Sequence, residues 1–264
     1  MILDELVAAT QQRLAHNQAR VPAATMHAQA LAAPTTDPAD VYQALRQPPL
    51  SIIAEVKAAS PSKGTIAADF DPVATAQEYA AGGVNAISVL TEPTYFHGDI
   101  NYLRTIRQAV TVPLLRKDFI IDDYMIDEAK AAGANLILLI VAILDDHQLR
   151  DYIHKAAALG LAVLVEAHDA HEIQRALQAG ADIIGVNNRD LRDFTVDLHR
   201  SVALRPLVPR NIIFVSESGI RGPQDVDQLR TAGVDAILVG ETLMRSPDKA
   251  ATINALRGGA HDDN

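Results

Sequence analysis

The sequence contains no cysteine and no tryptophan, and aromatic residues make up only 4% of its 264 positions. Without cysteine there is no disulfide framework, no thiolate nucleophile and no thiolate-ligated metal. The shortage of aromatics means that Ile, Leu, Val and Ala must build the core. Positive charge is scarce as well. Lys and Arg number 23 against 33 Asp and Glu, a net charge of −10. That balance argues against nucleic acid or an anionic membrane as partner, because such surfaces need clustered cations. No apolar run reaches the roughly 18 residues of a membrane span. The opening Met1-Ile-Leu-Asp-Glu lacks the basic region of a secretory signal. The expectation is a cytoplasmic globular protein without membrane attachment.

What is present is a repeat. Gly83-Val-Asn-Ala-Ile, Gly133-Ala-Asn-Leu-Ile, Gly180-Ala-Asp-Ile-Ile and Gly233-Val-Asp-Ala-Ile share one pattern, and Gly160-Leu-Ala-Val-Leu is a looser copy. In each, an Ala-rich helical segment stops at a glycine and an apolar run follows at once, as at a helix-to-strand junction. Eight apolar runs occur, at 51–57, 84–90, 112–117, 134–141, 161–166, 181–187, 211–217 and 234–240. Helical periodicity fills the gaps, for example over 122–132, 145–159 and 169–179, each opening on an Asp suited to capping. Buried strands alternating with helices give a parallel sheet. Eight such units in this length give a (β/α)8 TIM barrel as the α/β fold. An open doubly wound sheet is the alternative, but no G-x-G-x-x-G follows the first strand. The whole chain reads as a single domain. Residues 1–47 form a helical extension packed on the barrel, with one helix carrying Leu3, Leu6, Val7 and Leu14 and another over 41–46. The barrel spans 48–258, and 259–264 reads as a flexible tail.

In a barrel the active site gathers at the C-terminal strand ends. The first strand ends in Glu55 and Lys57, whose spacing of two puts both on one face. The later ends supply Lys117, Glu166, Asn187, Arg189, Glu217 and Ser218, whereas the second, fourth and eighth runs end without a comparable charge. Any one of these residues would pass as a member of a structural ion pair, but their common position points to an active site. Ser218-Gly219-Ile220 and Gly240-Glu241-Thr242, after strands 7 and 8, stand where barrels often bind phosphate on loop amides. Ordinary turns use the same residues, and it is position that singles these out. Phe96 and Phe119, just past strands 2 and 3, are candidates to touch a ligand ring or to pack as a lid. The nine histidines are scattered, and His168-x-x-His171 reads as a surface helix start, so no metal site is expected. No Ser/His/Asp set sits at the strand ends.

Taken together, Ile-Ala-Glu-Val-Lys-Ala-Ala-Ser-Pro-Ser-Lys-Gly (53–64), Leu-Arg-Lys-Asp-Phe (115–119), Leu-Val-Glu (164–166), Gly-Val-Asn-Asn-Arg-Asp-Leu (185–191), Ser-Glu-Ser-Gly-Ile (216–220) and Leu-Val-Gly (238–240) closely resemble the indole-3-glycerol-phosphate synthase family. The resemblance covers essentially the whole chain. It implies a TIM barrel with an N-terminal helical extension and a tryptophan-biosynthesis lyase acting without cofactor or metal. The implied substrate is the phosphorylated small molecule 1-(2-carboxyphenylamino)-1-deoxyribulose 5-phosphate, and the expected enzyme is a monomer. By the same resemblance Lys117 is the general acid, and Lys57 holds the substrate carboxylate and assists dehydration. Glu55 and Glu166 are the alternative final bases. Asn187, Arg189, Glu217 and Ser218 orient the substrate and the lysines, and Ser60, Gly219 and Gly240 grip phosphate. One departure is Glu241, where the family often has Ser. A carboxylate there would repel phosphate, so only the backbone N–H of Glu241 is expected to serve.

Two other readings fit the residues. A Schiff-base aldolase would use Lys117 as nucleophile, although the nearby carboxylates favour its charged form. A sugar-phosphate binding protein would hold ligand without turnover.

Overall fold

The computed structural model describes residues 2–60, 64–65, 70–190 and 193–258, with only the main chain for Ser60 and Thr65. Eight strands close into a parallel barrel. They are β1 (Ser51–Val56), β2 (Ala86–Leu90), β3 (Leu114–Lys117), β4 (Leu136–Ile140), β5 (Ala162–Ala167), β6 (Ile183–Asn187), β7 (Ile213–Glu217) and β8 (Ala236–Val239). All eight fall inside the apolar runs to within a residue. Closure is made by β8 against β1, in register from Ser51 opposite Ala236 to Ala54 opposite Val239.

The glycine repeat has a physical basis at both of its polar positions. Gly83, Gly133, Gly160, Gly180 and Gly233 all have φ between 71° and 91°, the left-handed stop that an L side chain adopts only with strain. Two residues after Gly83, Gly133 and Gly233, a carboxamide or carboxylate accepts an N–H from a neighbouring strand. Asn85 takes that of Ile52 at 2.9 Å, Asn135 that of Leu114 at 2.9 Å and Asp235 that of Phe214 at 2.8 Å. Each junction thus ends a helix and fixes the register of the next strand against its neighbour.

Alternation along the strands divides the core in two. Ile53, Leu115, Leu136, Leu138, Leu164, Ile183, Ile213 and Leu238 point into the barrel. Ile52, Ala54, Val56, Ile87, Val89, Ile137, Val165, Ile184 and Ile237 face the surrounding helices. Asp145 caps helix Asp146–Ala158 with a full capping box to Gln148, and Asp169 accepts the N–H of Glu172 to cap Ala170–Gln178.

The extension holds three helices, α1 (Ile2–Arg20), α2 (Ala23–Ala32) and α3 (Pro38–Leu45), where the sequence pattern indicates two. Val41 and Leu45 of α3 join the inner cluster of the barrel, and Ser51 Oγ donates to Ala44 O at 3.0 Å. Leu6 of α1 joins the same cluster beside Tyr95 and Phe96, which follow β2. The extension therefore completes the barrel interior as well as packing against it. The expected tail at 259–264 lies outside the described residues.

Candidate active site

The C-terminal strand ends open on a cavity of about 710 Å³. It is lined by Glu55, Lys57, Phe96, Lys117, Phe119, Glu166, Asn187, Arg189, Glu217, Ser218, Gly219 and Gly240. These are all of the site residues singled out from sequence except Ser60. Its main chain pairs with Gly64 in a two-residue hairpin, and its side chain lies outside the described residues.

Charge is arranged in two groups across the barrel mouth. On β1, Lys57 Nζ makes a close ion pair with Glu55 Oε2. Gly240 permits this, because a Cβ there would overlap Glu55 Oε2 and lie 2.9 Å from Lys57 Nζ. From β3, Lys117 Nζ lies 3.4 Å from Glu166 Oε2 and 3.7 Å from Glu217 Oε2. Asn187 Nδ2 donates to Glu166 Oε1 at 3.2 Å, and Asn187 Oδ1 accepts the Arg189 N–H at 3.0 Å. Asn187 thereby links the base of Arg189 to the carboxylate. The Arg189 guanidinium donates to Phe194 O at 3.3 Å.

Two ammonium groups face three carboxyls here, and burial decides how the protons are shared. Lys117 is raised above the ordinary lysine range: burial opposes its charge, but Glu166, Glu217 and Glu55 outweigh it. Glu166 is held below the usual carboxylate range. Burial again opposes, and Lys117, His168 and the hydrogen bonds from Asn187 and Lys117 prevail. Glu217 goes the other way, pushed up to about 8 by burial and then by the charges of Glu166 and Glu55, with Lys117 only partly compensating. Its Oε1 is buried without a hydrogen-bond partner among the described residues, over a glycine, Gly185, whose Cβ would overlap it. These directions favour an ammonium at Lys117 and a carboxylate at Glu166, with Glu217 the carboxyl that keeps a proton most readily. A charged Lys117 is a proton donor, and it lacks the free amine that a Schiff-base nucleophile needs.

The family model described as indole-3-glycerol phosphate synthase matches residues 3–256. The chain belongs to that family. It is 55% identical to the indole-3-glycerol phosphate synthase of Lacticaseibacillus paracasei, over 97% of this chain and 99% of that protein. It is 51% identical to the synthase of Leuconostoc mesenteroides, over 98% and 99%. Among solved structures, 3-hexulose-6-phosphate synthase from Salmonella typhimurium superposes with a TM-score of 0.66 at 15% identity, covering 80% of this chain and 98% of that one. That likeness concerns the fold alone.

Several residues of this synthase-family site carry no clear mark in the sequence. Ile2 and Leu6 bring α1 into the cavity wall, and Arg221 adds a cation to the same lining. Glu92, just past β2 and 1% exposed, accepts the N–H groups of Thr94, Tyr95 and Phe96 at 2.7–3.1 Å and so shapes the loop that carries Phe96. The rings of Phe96 and Phe119 lie with centroids 6.2 Å apart. His168, expected at the surface, stands beside Glu166, with Nε2 3.4 Å from Oε1. The spacing of two that places Glu55 with Lys57 recurs at Glu166 and His168, and it is the one signal that could have found this histidine. The Glu241 carboxylate accepts Arg245 Nε at 3.1 Å. Thr242 Oγ1 donates to Ile220 O at 2.6 Å, tying the loops after β7 and β8 together.

Proposed function

We propose that this protein converts 1-(2-carboxyphenylamino)-1-deoxyribulose 5-phosphate to indole-3-glycerol phosphate in tryptophan biosynthesis, with Lys117 as general acid. The carboxylate-bearing ring carbon attacks the ribulose carbonyl carbon. Lys117 donates a proton to the carbonyl oxygen as that C–C bond forms. Loss of CO2 restores the aromatic ring. Lys57, held by Glu55, carries the charge that first binds the carboxylate and then protonates the departing hydroxyl. Glu166 removes the last proton, as the carboxylate that is already ionised and already joined to Lys117 and Asn187; Glu55 is engaged by Lys57. The phosphate sits on the main-chain N–H groups around Gly219 and Gly240, with Arg221 supplying charge. Phe96 and Phe119 flank the aryl ring. The protein acts as a single cytoplasmic chain. No helix among the described residues is long and apolar enough to cross a membrane.

The observation that carries this reading is the ammonium of Lys117 held between Glu166 and Glu217, in the same cavity as the Lys57–Glu55 pair. Incubation with the aryl-amine substrate tests it by the appearance of indole fluorescence, against a protein background free of tryptophan. Substrate binding without fluorescent product would leave a binding protein and end the reading.

A further inference from the structure

We propose that His168 is the proton outlet of Glu166, a positioning residue that takes the proton from that carboxyl and passes it to Glu172 at the barrel rim. The inference rests on the assignment of Glu166 as the base.

The geometry is a short relay. His168 follows β5 directly, on the same side of the chain as Glu166. Its Nε2 lies 3.4 Å from Glu166 Oε1, and its Nδ1 lies 3.1 Å from Glu172 Oε2. The same Glu172 oxygen accepts the His168 backbone N–H at 2.7 Å, so the ring is anchored at two points. Glu172 itself sits in the first turn of Ala170–Gln178, its N–H fixed by Asp169. Nε2 is buried and makes no hydrogen bond among the described residues, although it is aimed at the carboxylate. The side chains of His168 and Glu172 are 18% and 15% exposed, whereas Glu166 is 2% exposed. The relay therefore runs from a sealed carboxylate to the solvent margin.

This arrangement meets a requirement of the reaction. Glu166 must return to the ionised form after each turnover, and His168 offers an outlet at Oε1, separate from Lys117 at Oε2. With Nδ1–H donated to Glu172, Nε2 presents its lone pair to Glu166. The O–H bond of protonated Glu166 breaks as the Nε2–H bond forms, giving an imidazolium. The Nδ1 proton then leaves to Glu172 and solvent. One proton leaves Glu166 for bulk and resets Glu166 and His168, Lys117 and Lys57 regain from solvent the two protons they gave up, and no electrons change hands. The titratable groups facing this pair are Glu172 from its helix, Lys117 from β3 and Glu217 from β7, with the neutral Asn187 from β6. Burial lowers the proton affinity of His168, and the hydrogen bond and charge of Glu172 together with Glu166 and Glu217 raise it further than burial lowers it. At acid pH the ring is already protonated and the relay is closed.

The test uses His168→Ala and His168→Gln in the full chain, with Glu172→Gln as a second break in the relay. Glu166→Gln and thermal melting serve as controls. The expected result is a fall in kcat of about tenfold, less than the roughly 10²–10⁴-fold of a direct acid–base group, with KM nearly unchanged. Added imidazole should restore kcat in His168→Ala, and the acid limb of the kcat profile should be displaced in His168→Gln. Folded variants with kcat close to the parent, or a loss that imidazole does not restore, overturn the relay. An inactive Glu166→Gln beside fully active His168 variants removes the relay alone. An active Glu166→Gln removes the base assignment and the relay with it.

Discussion

Arg13 Nη2, in the first helix, donates to Asp118 Oδ1 at 2.7 Å. Asp118 stands between Lys117 and Phe119 in sequence and is buried. It also accepts Arg116 Nη2 at 3.1 Å and Thr91 Oγ1 at 2.6 Å. Arg116, itself 2% exposed, reaches on to Glu128 at 2.7 Å, which accepts Asn17 of the same first helix. The extension is thus tied through buried charge to the strand that presents Lys117. Arg13→Met leaves Asp118 with its other partners, so the chain should still fold. Stability should fall by about 1.5–3 kcal/mol, the scale of a hydrogen bond to a charged group. KM should rise as Leu6 and Phe119 lose their fixed wall. Urea unfolding and steady-state kinetics on one sample check both. Parent stability with parent KM would mean that the extension does not depend on this contact.

Lys117→Met keeps the apolar stem and deletes the ammonium. If Lys117 is the acid, turnover should drop by about three orders of magnitude, the upper part of the range for general acid catalysis. Affinity for a substrate analogue should change far less, because Lys57, Arg189 and the phosphate loops are untouched. A kcat within tenfold of the parent would move the acid role to Lys57.

Glu217 gives the site a pH dependence on its alkaline side. Its folded value is raised from the ordinary 4.5 to about 8, so the contribution of its protonated form to stability is complete below 4.5 and disappears as pH rises to about 8. Above that, a new carboxylate 3.7 Å from Lys117 holds the acid's proton more tightly and repels an anionic substrate. kcat/KM should therefore decline above about pH 8. Glu217→Gln should lack that decline and melt higher than the parent about one unit above that value, where the parent's carboxyl is ionised. An unaltered alkaline limb in the variant would assign it to another group.

The barrel is legible in the sequence because its signals are local and repeated. A left-handed glycine, a polar residue two positions on and a β-branched run recur at the junctions, and the period of two along β1 by itself puts Glu55 and Lys57 on one face. The parts that the sequence hides depend on direction in space instead. Helix α2 buries only Met26 and Ala30 in an Ala-rich segment, too little contrast to mark a face. Glu92 lies past its strand in a Pro-Thr turn, where strand alternation no longer says which way a side chain points. Arg116 looks like one more strand-end cation, but it is turned to the helices and neutralised by Asp118 and Glu128. His168 has the right spacing from Glu166, and its place at a helix start conceals it.

Gly240 offers a test of how closely the first strand end must fit. Its φ of −115° lies outside the left-handed region that favours glycine. The new methyl would nevertheless overlap Glu55 Oε2 and stand 2.9 Å from Lys57 Nζ. No pair of heavy atoms tolerates the first contact, so the Glu55–Lys57 pair must move. The end of the Lys57 side chain can swing toward the cavity at little cost to folding, but Glu55 is 6% exposed and has little room. The substitution should therefore cost catalysis more than stability. A displacement of about 1 Å in a catalytic group can cost about 10²-fold in rate, and kcat/KM should fall by about that much. Lys117 is on a different strand and keeps its own partners, so on the proposed division of roles ring closure should persist while dehydration slows. Rapid-quench analysis should then show an intermediate that has lost CO2 and still carries the hydroxyl. Parent kinetics in Gly240→Ala would show that the Lys57–Glu55 contact is not needed for turnover.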